Sequence, residues 1–381
     1  MTKSVLLIAG EVSGDMHAAG LVRAVKKKNS DVQFFGIGGD ELRAAGMEIM
    51  VDARDMAVMG LAEVVRHYGF FKRVFADMIE LARVRKPDAV VLVDYPGFNL
   101  RFAEKAREMG IKVVYYVCPQ VWAWHRSRIR KMARIVDRLI VIFPFEPAVF
   151  KDTALKVDFV GHPLVEVAEK ALAEPLKNLP WKGETHIALL PGSRHQEVDR
   201  ILPPMLSSAA LLEEKVPGAG FIIASPSDEI VGRVRDVLSA HPDKPARCGI
   251  VVGETRQVLR QARAAMVASG TATIETALMG CPMIVVYKTS LLTYFFGRML
   301  VKVQNIGMVN LVAGCPLCPE LIQAATTPEA LASAMIPLIE DTPERDAMMV
   351  GLEEVRRLLG QGGAAERAAD ILLQEVTSSA R

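Results

Sequence analysis

Short apolar runs rich in valine and isoleucine alternate with segments of helical periodicity over most of this chain. The runs form two groups, the first at 4–9, 32–37, 88–94, 111–117, 137–143 and 157–160, and the second at 186–191, 219–225, 249–252, 264–268 and 282–287. Strands that read as continuous hydrophobic runs and alternate with helices belong to parallel sheets covered by helices on both faces. The sequence therefore predicts an α/β protein with two doubly wound parallel sheets.

A mixed polar segment between the two groups of runs predicts a domain boundary. We expect an N-terminal domain at 1–165, a linker at 166–185 and a C-terminal domain at 186–342. Beyond Thr327 the pattern is that of successive helices without further strands. We expect the helices at 343–381 to pack back on the N-terminal domain, either of the same chain or of a partner chain in a homodimer.

Bulk composition excludes several classes of protein. The 381 residues carry a formal net charge of +2, so no overall field indicates a nucleic-acid binder. Five cysteines, an odd number in a long chain, fit a reducing compartment, and we expect a cytoplasmic protein. Because no apolar stretch reaches the roughly 18 residues of a spanning helix, we expect neither a transmembrane helix nor an exported protein.

Five conspicuous loops each follow a predicted strand. They are AGEVSGD (9–15), DYPGFN (94–99), CPQVWAW (118–124), LPGSR (190–194) and SGTATIE (269–275). Ligands of open α/β folds bind outside the carboxyl ends of the strands. Two such domains facing across a cleft would line it with these loops, and we expect the site there.

Two of the loops have the features of phosphate-binding turns. The turns at 192–194 and 269–271 each join a strand to a predicted helix, where free N–H groups and the helix dipole favour an anion. Glu275 follows the second turn and can accept hydrogen bonds from a ribose diol. The alternatives are turns that bind nothing and a capping box that ends at Glu275.

Asp94 stands at the end of an apolar strand, where a partly desolvated carboxylate can act as a general base. A helix-capping role fits the same position, and Glu11 and Asp15 carry the same ambiguity. The chain contains no Asp-x-Asp pair. A sugar-nucleotide transferase without that metal-holding pair must neutralise its leaving diphosphate with cations and helix N-termini.

Three segments, at 59–86, 121–134 and 290–303, combine large apolar side chains with lysine and arginine. Helices like those predicted at 59–86 and 290–303 can lie in a membrane interface with their cations toward the lipid headgroups. Aromatic bulk beside the basic cluster at 121–134 also suits an anionic amphiphile. Core packing and a solvated basic helix are the alternative interpretations.

Taken in order, the motifs of this chain resemble those of the lipid-A-disaccharide synthases, a family of inverting GT-B glycosyltransferases with two Rossmann-like domains. The motifs extend over nearly the whole chain: AGEVSGD, MAVMGLAEV, VDYPGFN, CPQVWAW, FPFE, FVGHPL, LLPGSR, SGTATIE, CPMIVVY and MVNLVAG. The resemblance implies transfer from UDP-2,3-diacylglucosamine to 2,3-diacylglucosamine 1-phosphate, which yields a β-1,6-linked disaccharide and UDP without a metal or other cofactor. It also implies peripheral association with the cytoplasmic face of the inner membrane.

The resemblance further implies roles for single residues. Asp94 would accept the proton of the acceptor 6-hydroxyl. Contacts with the donor are expected from Gly192, Ser193, Arg194, Ser269, Gly270, Thr271, Glu275 and Asn310. Contacts with the acceptor or the cleft are expected from Glu11, Ser13, Gly14, Trp122, Trp124 and Arg126.

One position departs from the family pattern, and two other functions stay open. Some members carry a second aspartate in the loop after the base, where this chain has Gly97, so the role of Asp94 needs its own test. The first alternative function is another UDP-sugar enzyme of this fold, such as a UDP-N-acetylglucosamine 2-epimerase or a lipid-linked N-acetylglucosaminyltransferase. The second is a non-catalytic peripheral membrane protein.

Overall fold

The computed structural model of this protein describes residues 3–56, 68–123, 127–290, 294 and 305–377. Trp124 and Arg126 lie outside these ranges, and so do parts of the apolar-basic segments at 59–86 and 290–303.

The chain folds into two compact units. The first unit contains the residues up to Pro163 and those from Gln361 onward, and the second contains Leu164–Gly360. The segment expected as a linker thus overlaps a helix of the second unit, and the helix at Pro343–Leu358 also belongs to that unit. The helix at Ala364–Thr377 packs in the first unit of its own chain, and the homodimer stays a prediction.

The first unit is built on a seven-stranded parallel sheet. Its strands are β1 (Ser4–Ala9), β2 (Gln33–Gly38), β3 (Glu48–Asp52), β4 (Ala89–Val93), β5 (Lys112–Tyr116), β6 (Arg138–Val141) and β7 (Lys156–Phe159). Its helices are α1 (Val12–Lys28), α2 (Asp40–Ala44), α3 (Ala53–Met56), α4 (Tyr68–Arg85), α5 (Pro96–Glu108), α6 (Ser127–Ile135), α7 (Glu146–Val149) and the C-terminal α16 (Ala364–Thr377). The strand order is β3-β2-β1-β4-β5-β6-β7, so the direction of the order reverses between β1 and β4. Doubly wound folds bind their ligands at such a switch point.

Helices cover both faces of this sheet. On one face α1 and α16 contribute core residues such as Leu21 and Leu372. On the other face α4, α5 and α6 contribute Met78, Phe102 and Met132. Because the central strands are buried on both faces, they read as continuous apolar runs in the sequence.

The described part of the apolar-basic segment 59–86 is α4, which packs its apolar side chains against the sheet. Met78 and Ala82 are buried, and the ring of Phe75 lies edge-on to that of Phe98 at a centroid distance of 5.2 Å. Core packing therefore accounts for the apolar spacing of α4. No helix within the described ranges is both long and apolar enough to cross a membrane.

The second unit is built on a six-stranded parallel sheet. Its strands are β8 (Thr185–Leu190), β9 (Ala219–Ser225), β10 (Cys248–Val252), β11 (Ala264–Ala268), β12 (Met283–Tyr287) and β13 (Glu320–Ile322). Its helices are α8 (Leu164–Ala173), α9 (His195–Lys215), α10 (Asp228–Ala240), α11 (Thr255–Gln261), α12 (Thr271–Leu278), α13 (Met308–Ala313), α14 (Pro328–Ile339) and α15 (Pro343–Leu358), with a 3₁₀ turn at Gln323–Ala325. The strand order is β10-β9-β8-β11-β12-β13, which places β8 and β11 at the centre.

The α/β prediction with two parallel sheets is confirmed, but two edge strands are missing from it. β3 pairs only with β2, and its residues are exposed or half-buried. β13 pairs only with β12 and has three residues. Neither strand is buried on both faces, so neither produces the continuous apolar run on which the prediction rests.

Candidate active site

The turn after β4 holds two consecutive residues in the left-handed backbone region. Asp94 has a φ of 45° and Tyr95 a φ of 47°. This region is uncommon for residues other than glycine, and such strain concentrates at functional sites. The Tyr95 ring lies against Gly10 in the turn after β1, where an added Cβ would stand 2.6 Å from the ring. The turns after β1 and β4 therefore meet at the switch point of the first sheet.

Two buried side chains hold this turn in place. The Asn99 amide Nδ2 donates to the carbonyl oxygens of Val93 at 3.1 Å and Asp94 at 2.8 Å. The Tyr115 hydroxyl donates to the same Asp94 carbonyl oxygen at 2.5 Å. Sequence reasoning did not single out either residue, although an amide at the end of the DYPGFN loop is a usable signal for Asn99.

The surroundings of Asp94 change its acidity. Partial burial raises the pKa of the Asp94 carboxyl to about 6, the negative charge of Glu11 contributes to the increase, and a hydrogen bond from the Tyr95 backbone opposes both. Above this pKa the group is a carboxylate and a stronger base than an ordinary aspartate. The structure thus brings together two predicted site residues, Asp94 and Glu11.

The remaining residues of the turn after β1 divide into exposed and buried positions. Glu11 and Ser13 are exposed, whereas Gly14 is buried beside Ala9 and Val93. An added Cβ on Gly14 would meet those two side chains at ordinary contact distances of 3.7 to 3.8 Å. Gly14 therefore lies against the end of the sheet, while Glu11 and Ser13 are accessible to a ligand.

Asp15 caps α2. Its Oδ1 accepts the backbone N–H of Gly39 at 2.6 Å and that of Leu42 at 3.3 Å. Its Oδ2 accepts the N–H of Glu41 at 3.0 Å. Asp15 therefore does cap a helix, but not the one that follows its own loop: it lies within α1 and satisfies N–H groups at the start of α2.

Trp122, expected near the acceptor, is buried and bonded to a buried acid. Its indole N–H donates to Glu146 Oε1 at 3.4 Å, and Glu146 Oε2 accepts the N–H of Phe143 at 3.1 Å. Burial raises the pKa of the Glu146 carboxyl to about 8, although both hydrogen bonds act in the opposite direction. In the sequence, Glu146 is the last residue of the FPFE motif and carries no predicted role of its own. A glutamate among aromatic residues just after a strand is the signal that could have found it.

Glu146→Gln is expected to remove part of the pH dependence of the stability of this protein. The ordinary pKa of Glu146 is 4.5 and the folded value about 8, so between them the folded state holds a proton that the unfolded state has lost. The free energy of unfolding of the wild type therefore falls with rising pH, by up to about 1.4 kcal/mol per pH unit from this group. Urea denaturation of both proteins across this window measures the two slopes, and equal slopes contradict the prediction.

In the second unit, a side chain of α9 already occupies the turn after β8. Gly192 has a φ of 117°, and Ser193 and Arg194 are exposed. Glu197 Oε2 accepts the backbone N–H of Ser193 at 3.0 Å, and Glu197 Oε1 accepts a hydrogen bond from Arg194 Nη1 at 3.2 Å. Sequence reasoning missed Glu197, although a glutamate three residues after a helix N-cap is a known capping signal.

The turn after β11 lies at the same end of the sheet as the turn after β8, the end where the carboxyl termini of the strands lie. β11 pairs with β8, and Val267 lies opposite Leu190. Ser269 and Gly270 are half-buried, with a φ of 152° at Gly270, and Thr271 is exposed at the start of α12. The N-termini of α9 and α12 therefore follow neighbouring strands.

Glu275 is held by an arginine. Its Oε1 lies 2.7 Å from Arg256 Nε, on α11, and its side chain is 19% exposed. Arg256 was not singled out from the sequence, because its proximity to Glu275 depends on how α11 and α12 pack. The ion pair orients the Glu275 carboxylate.

Asn310 is buried, and its side chain is bonded within the second unit. Its Nδ2 donates to the Cys318 carbonyl and to Glu320 Oε1, both at 2.8 Å, and its Oδ1 accepts the N–H of Cys318 at 2.8 Å. Glu320 also accepts the N–H groups of Ile306 and Gly307, each at 2.9 Å. The side chain of Asn310 therefore fixes the chain around the start of α13.

Each unit thus carries its own group of predicted site residues. In the first unit, Asp94 lies near Glu11, and the carboxylate of Asp94 can accept a proton from an alcohol. The second has two adjacent strand-to-helix turns with Arg194 and Glu275, which can bind an anion and hydroxyl groups. In the described part of the chain, no three His, Cys, Asp or Glu side chains gather as a metal site.

Comparisons with known proteins cover nearly the whole chain. The sequence model of the family described as Lipid-A-disaccharide synthetase matches residues 5–375. A lipid-A-disaccharide synthase of Syntrophus aciditrophicus is 42% identical over 381 residues, covering 99% of each chain. Among solved structures, S. aureus MnaA with UDP matches with a TM-score of 0.65 at 12% identity, covering 100% of this chain and 99% of that chain. The calicheamicin glycosyltransferase CalG4 matches with a TM-score of 0.64 at 16% identity, covering 100% of each chain.

The two kinds of comparison support different conclusions. Identities of 12% and 16% to the solved structures show the fold alone, which is the GT-B fold. Identity of 42% over full length shows the family as well, and it sets aside the 2-epimerase, the lipid-linked N-acetylglucosaminyltransferase and the non-catalytic membrane protein. With a family match from residue 5 to residue 375, this chain belongs to the lipid-A-disaccharide synthase family of glycosyltransferases.

Proposed function

We propose that this enzyme transfers the sugar of UDP-2,3-diacylglucosamine to the 6-hydroxyl of 2,3-diacylglucosamine 1-phosphate, with inversion at the anomeric carbon. The observation that carries the proposal is Asp94, a carboxylate of raised pKa in a strained turn at the switch point of the first sheet. Family membership supplies the reaction class, and the resemblance of the motifs supplies the two acylated substrates.

In the proposed reaction the oxygen of the acceptor 6-hydroxyl attacks the anomeric carbon of the donor, and Asp94 accepts the proton of that hydroxyl. A new oxygen–carbon bond forms on one face of the sugar while the bond to the UDP oxygen breaks on the other, which inverts the centre. UDP leaves with the bonding electron pair. The raised pKa suits this role, because a base whose pKa lies near the working pH combines a large deprotonated fraction with useful strength.

The leaving diphosphate is proposed to bind at the turn after β8. There the N-terminus of the 21-residue α9 and the cation of Arg194 supply positive charge without a metal. Glu275 is proposed to accept hydrogen bonds from the ribose diol, with Ser269, Gly270 and Thr271 forming the adjacent turn. The same fold in the UDP complex of S. aureus MnaA supports a uridine nucleotide here.

Other expected contacts are proposed with the roles that their surroundings support. Glu11 is exposed and close enough to Asp94 for its charge to raise the Asp94 pKa, and exposed Ser13 belongs to the same turn, so both suit the acceptor. Buried Asn310 acts through Glu320, by fixing the chain before α13. Because both substrates are acylated, we also propose peripheral association with the cytoplasmic face of the inner membrane.

A turnover assay with both acylated substrates tests the proposal. The expected result is UDP release that requires both acylated sugars and is unchanged by a chelator of divalent metals. UDP-N-acetylglucosamine as donor is expected to give no UDP release. Turnover of that unacylated donor, or loss of activity with the chelator, contradicts the proposed substrates or the proposed metal-free mechanism respectively.

Arg256→Ala is expected to weaken the binding of UDP several-fold more than that of 2′,3′-dideoxy-UDP. Arg256 orients the Glu275 carboxylate, so its loss removes a fixed acceptor for the ribose hydroxyls, and a net hydrogen bond contributes about 1 kcal/mol. Titration calorimetry with both nucleotides measures the difference, with exposed Arg235→Ala as the charge-matched control. An equal loss for both nucleotides shows that Arg256 does not act through the ribose.

A further inference from the structure

The turn after β8 contains its own anion. Glu197 is the third residue of α9, and its carboxylate points back toward the turn, where it accepts hydrogen bonds from the Ser193 N–H and from Arg194 Nη1. An added Cβ on Gly192 would stand 2.5 Å from Glu197 Oε2 and 2.8 Å from Glu197 Cβ. The absence of a side chain at Gly192 therefore makes room for this carboxylate, and not only for the bend of the chain.

Glu197 accepts hydrogen bonds from the Ser193 N–H and the Arg194 guanidinium, and a diphosphate bound at this turn would need the same two donors. A backbone N–H donates one good hydrogen bond, so a phosphate oxygen can accept the Ser193 N–H only when Glu197 has released it. The two anions also repel each other, because they would lie close together at this turn, and the partial exposure of the turn weakens this repulsion without removing it. The Glu197 side chain is 31% exposed and that of Arg194 is 67% exposed, so both are free to move toward solvent.

A second group reports the same arrangement. Tyr287 ends β12, the strand next to β11, and its hydroxyl is affected by the charges of both Glu197 and Arg194. Burial is the main cause of its raised pKa, the Glu197 charge adds to the increase, and the Arg194 charge opposes it. Glu197 and Arg194, whose Oε1 and Nη1 lie 3.2 Å apart at the turn after β8, are therefore also near the end of β12.

We propose that Glu197 is an internal counter-ion of the nucleoside diphosphate site. It binds the Ser193 N–H and Arg194 when the site is empty, is displaced when the diphosphate of the donor binds, and returns to the same donors as UDP leaves. Glu197 therefore weakens the binding of UDP and accelerates its release. This inference rests on the proposed function, because it takes the turn after β8 as the diphosphate site.

A purely structural role for Glu197 predicts the opposite sign. A carboxylate in the first turn of a helix stabilises the helix through its dipole and by satisfying an N–H group. If Glu197 only shaped the turn, its neutralisation would lower stability and weaken UDP binding together. As a counter-ion, its neutralisation slightly lowers stability but strengthens UDP binding, so the two measurements move in opposite directions.

The experiment compares UDP binding to the full-length wild type and to Glu197→Gln by titration calorimetry. Removal of one like charge from a partly exposed anion site is expected to lower the Kd for UDP by on the order of tenfold. The control is Glu329→Gln, which removes the same charge from the first turn of α14, at an exposed position, and is expected to leave the Kd unchanged. The inhibition constant of UDP in the turnover assay is expected to fall with the Kd.

Each other outcome contradicts a specific statement. Unchanged or weaker UDP binding by folded Glu197→Gln overturns the counter-ion role and leaves the proposed function standing. Failure of both folded wild type and folded Glu197→Gln to bind UDP contradicts the proposed donor site itself. Should Glu197→Gln not fold, Glu197→Asp keeps the charge that favours the helix but shortens its reach. Tighter UDP binding by that variant supports the inference, and unchanged binding overturns it.

Discussion

Asp94→Ala is expected to lower turnover about a hundredfold or more and to leave UDP binding nearly unchanged, because a general base contributes to the transition state rather than to nucleotide binding. Asp94 belongs to the first unit, whereas the proposed nucleotide contacts belong to the second. Steady-state kinetics with both acylated substrates measures turnover, and calorimetry measures UDP binding. The control is Asp77→Ala, which removes an exposed carboxylate of α4.

The pH dependence of turnover tests the same role with a second readout. Since the base must be deprotonated, kcat/KM of the wild type is expected to rise with pH and level off above about 6, the pKa of Asp94. The Glu11 charge raises that pKa, so Glu11→Gln is expected to move the rise to lower pH, although burial still keeps the pKa above its ordinary value. If Asp94→Ala turned over as fast as the wild type, another residue would have to be the base. That outcome is conceivable because some family members carry a second aspartate where this chain has Gly97.

The fold could be predicted where a strand is buried on both faces, because such a strand is a continuous apolar run in the sequence. β4, AVVLV, is buried at every position and lies within the predicted run 88–94. β3, EIMVD, is a half-exposed edge strand, and its glutamate and aspartate break the apolar run. Edge position alone does not hide a strand, because the edge strands β7 and β10 overlap predicted runs. β3 is missed because its apolar residues number only three between two acidic ones.

The site could be predicted where topology alone decides the position. Asp94 and the two strand-to-helix turns follow strands, so their location at a sheet edge needs no knowledge of packing. The environment of those residues needs more. The left-handed Tyr95 depends on contact with Gly10, and the buried Asn310 depends on Cys318 and Glu320. Contacts of that kind determine whether a predicted polar residue is available to a ligand or bonded in the interior.

Glu197 shows the limit of motif reading most directly. The motif LPGSR indicates an anion site, and the structure shows a carboxylate three residues further on that already uses its donors. Sequence spacing is consistent with this contact, since a glutamate at the third helical position commonly caps the turn. The spacing does not reveal that the cap competes with the proposed ligand, because that follows from which N–H groups and which cation it engages.

Arg194→Ala is expected to weaken UDP binding and turnover together, by about tenfold to a hundredfold, the range for loss of a hydrogen bond between charged groups. Arg194 is 67% exposed, so it makes no large contribution to the stability of the empty protein, and the unfolding temperature is expected to stay near that of the wild type. Arg235→Ala, an exposed arginine of α10, is the control for loss of positive charge. Unchanged UDP affinity in Arg194→Ala would remove its role with the leaving group.

The double variant of Arg194→Ala with Glu197→Gln makes this prediction sharper. In Arg194→Ala, the Glu197 carboxylate loses its cationic partner but keeps the Ser193 N–H, so it opposes the diphosphate with a charge that is no longer balanced. Part of the lost affinity then belongs to Glu197 rather than to Arg194. Glu197→Gln is therefore expected to strengthen UDP binding by a larger factor in Arg194→Ala than in the wild type, and the double-mutant cycle gives the coupling between the two residues. Additive effects would mean that the two side chains act on the diphosphate independently, with Arg194 alone responsible for the loss.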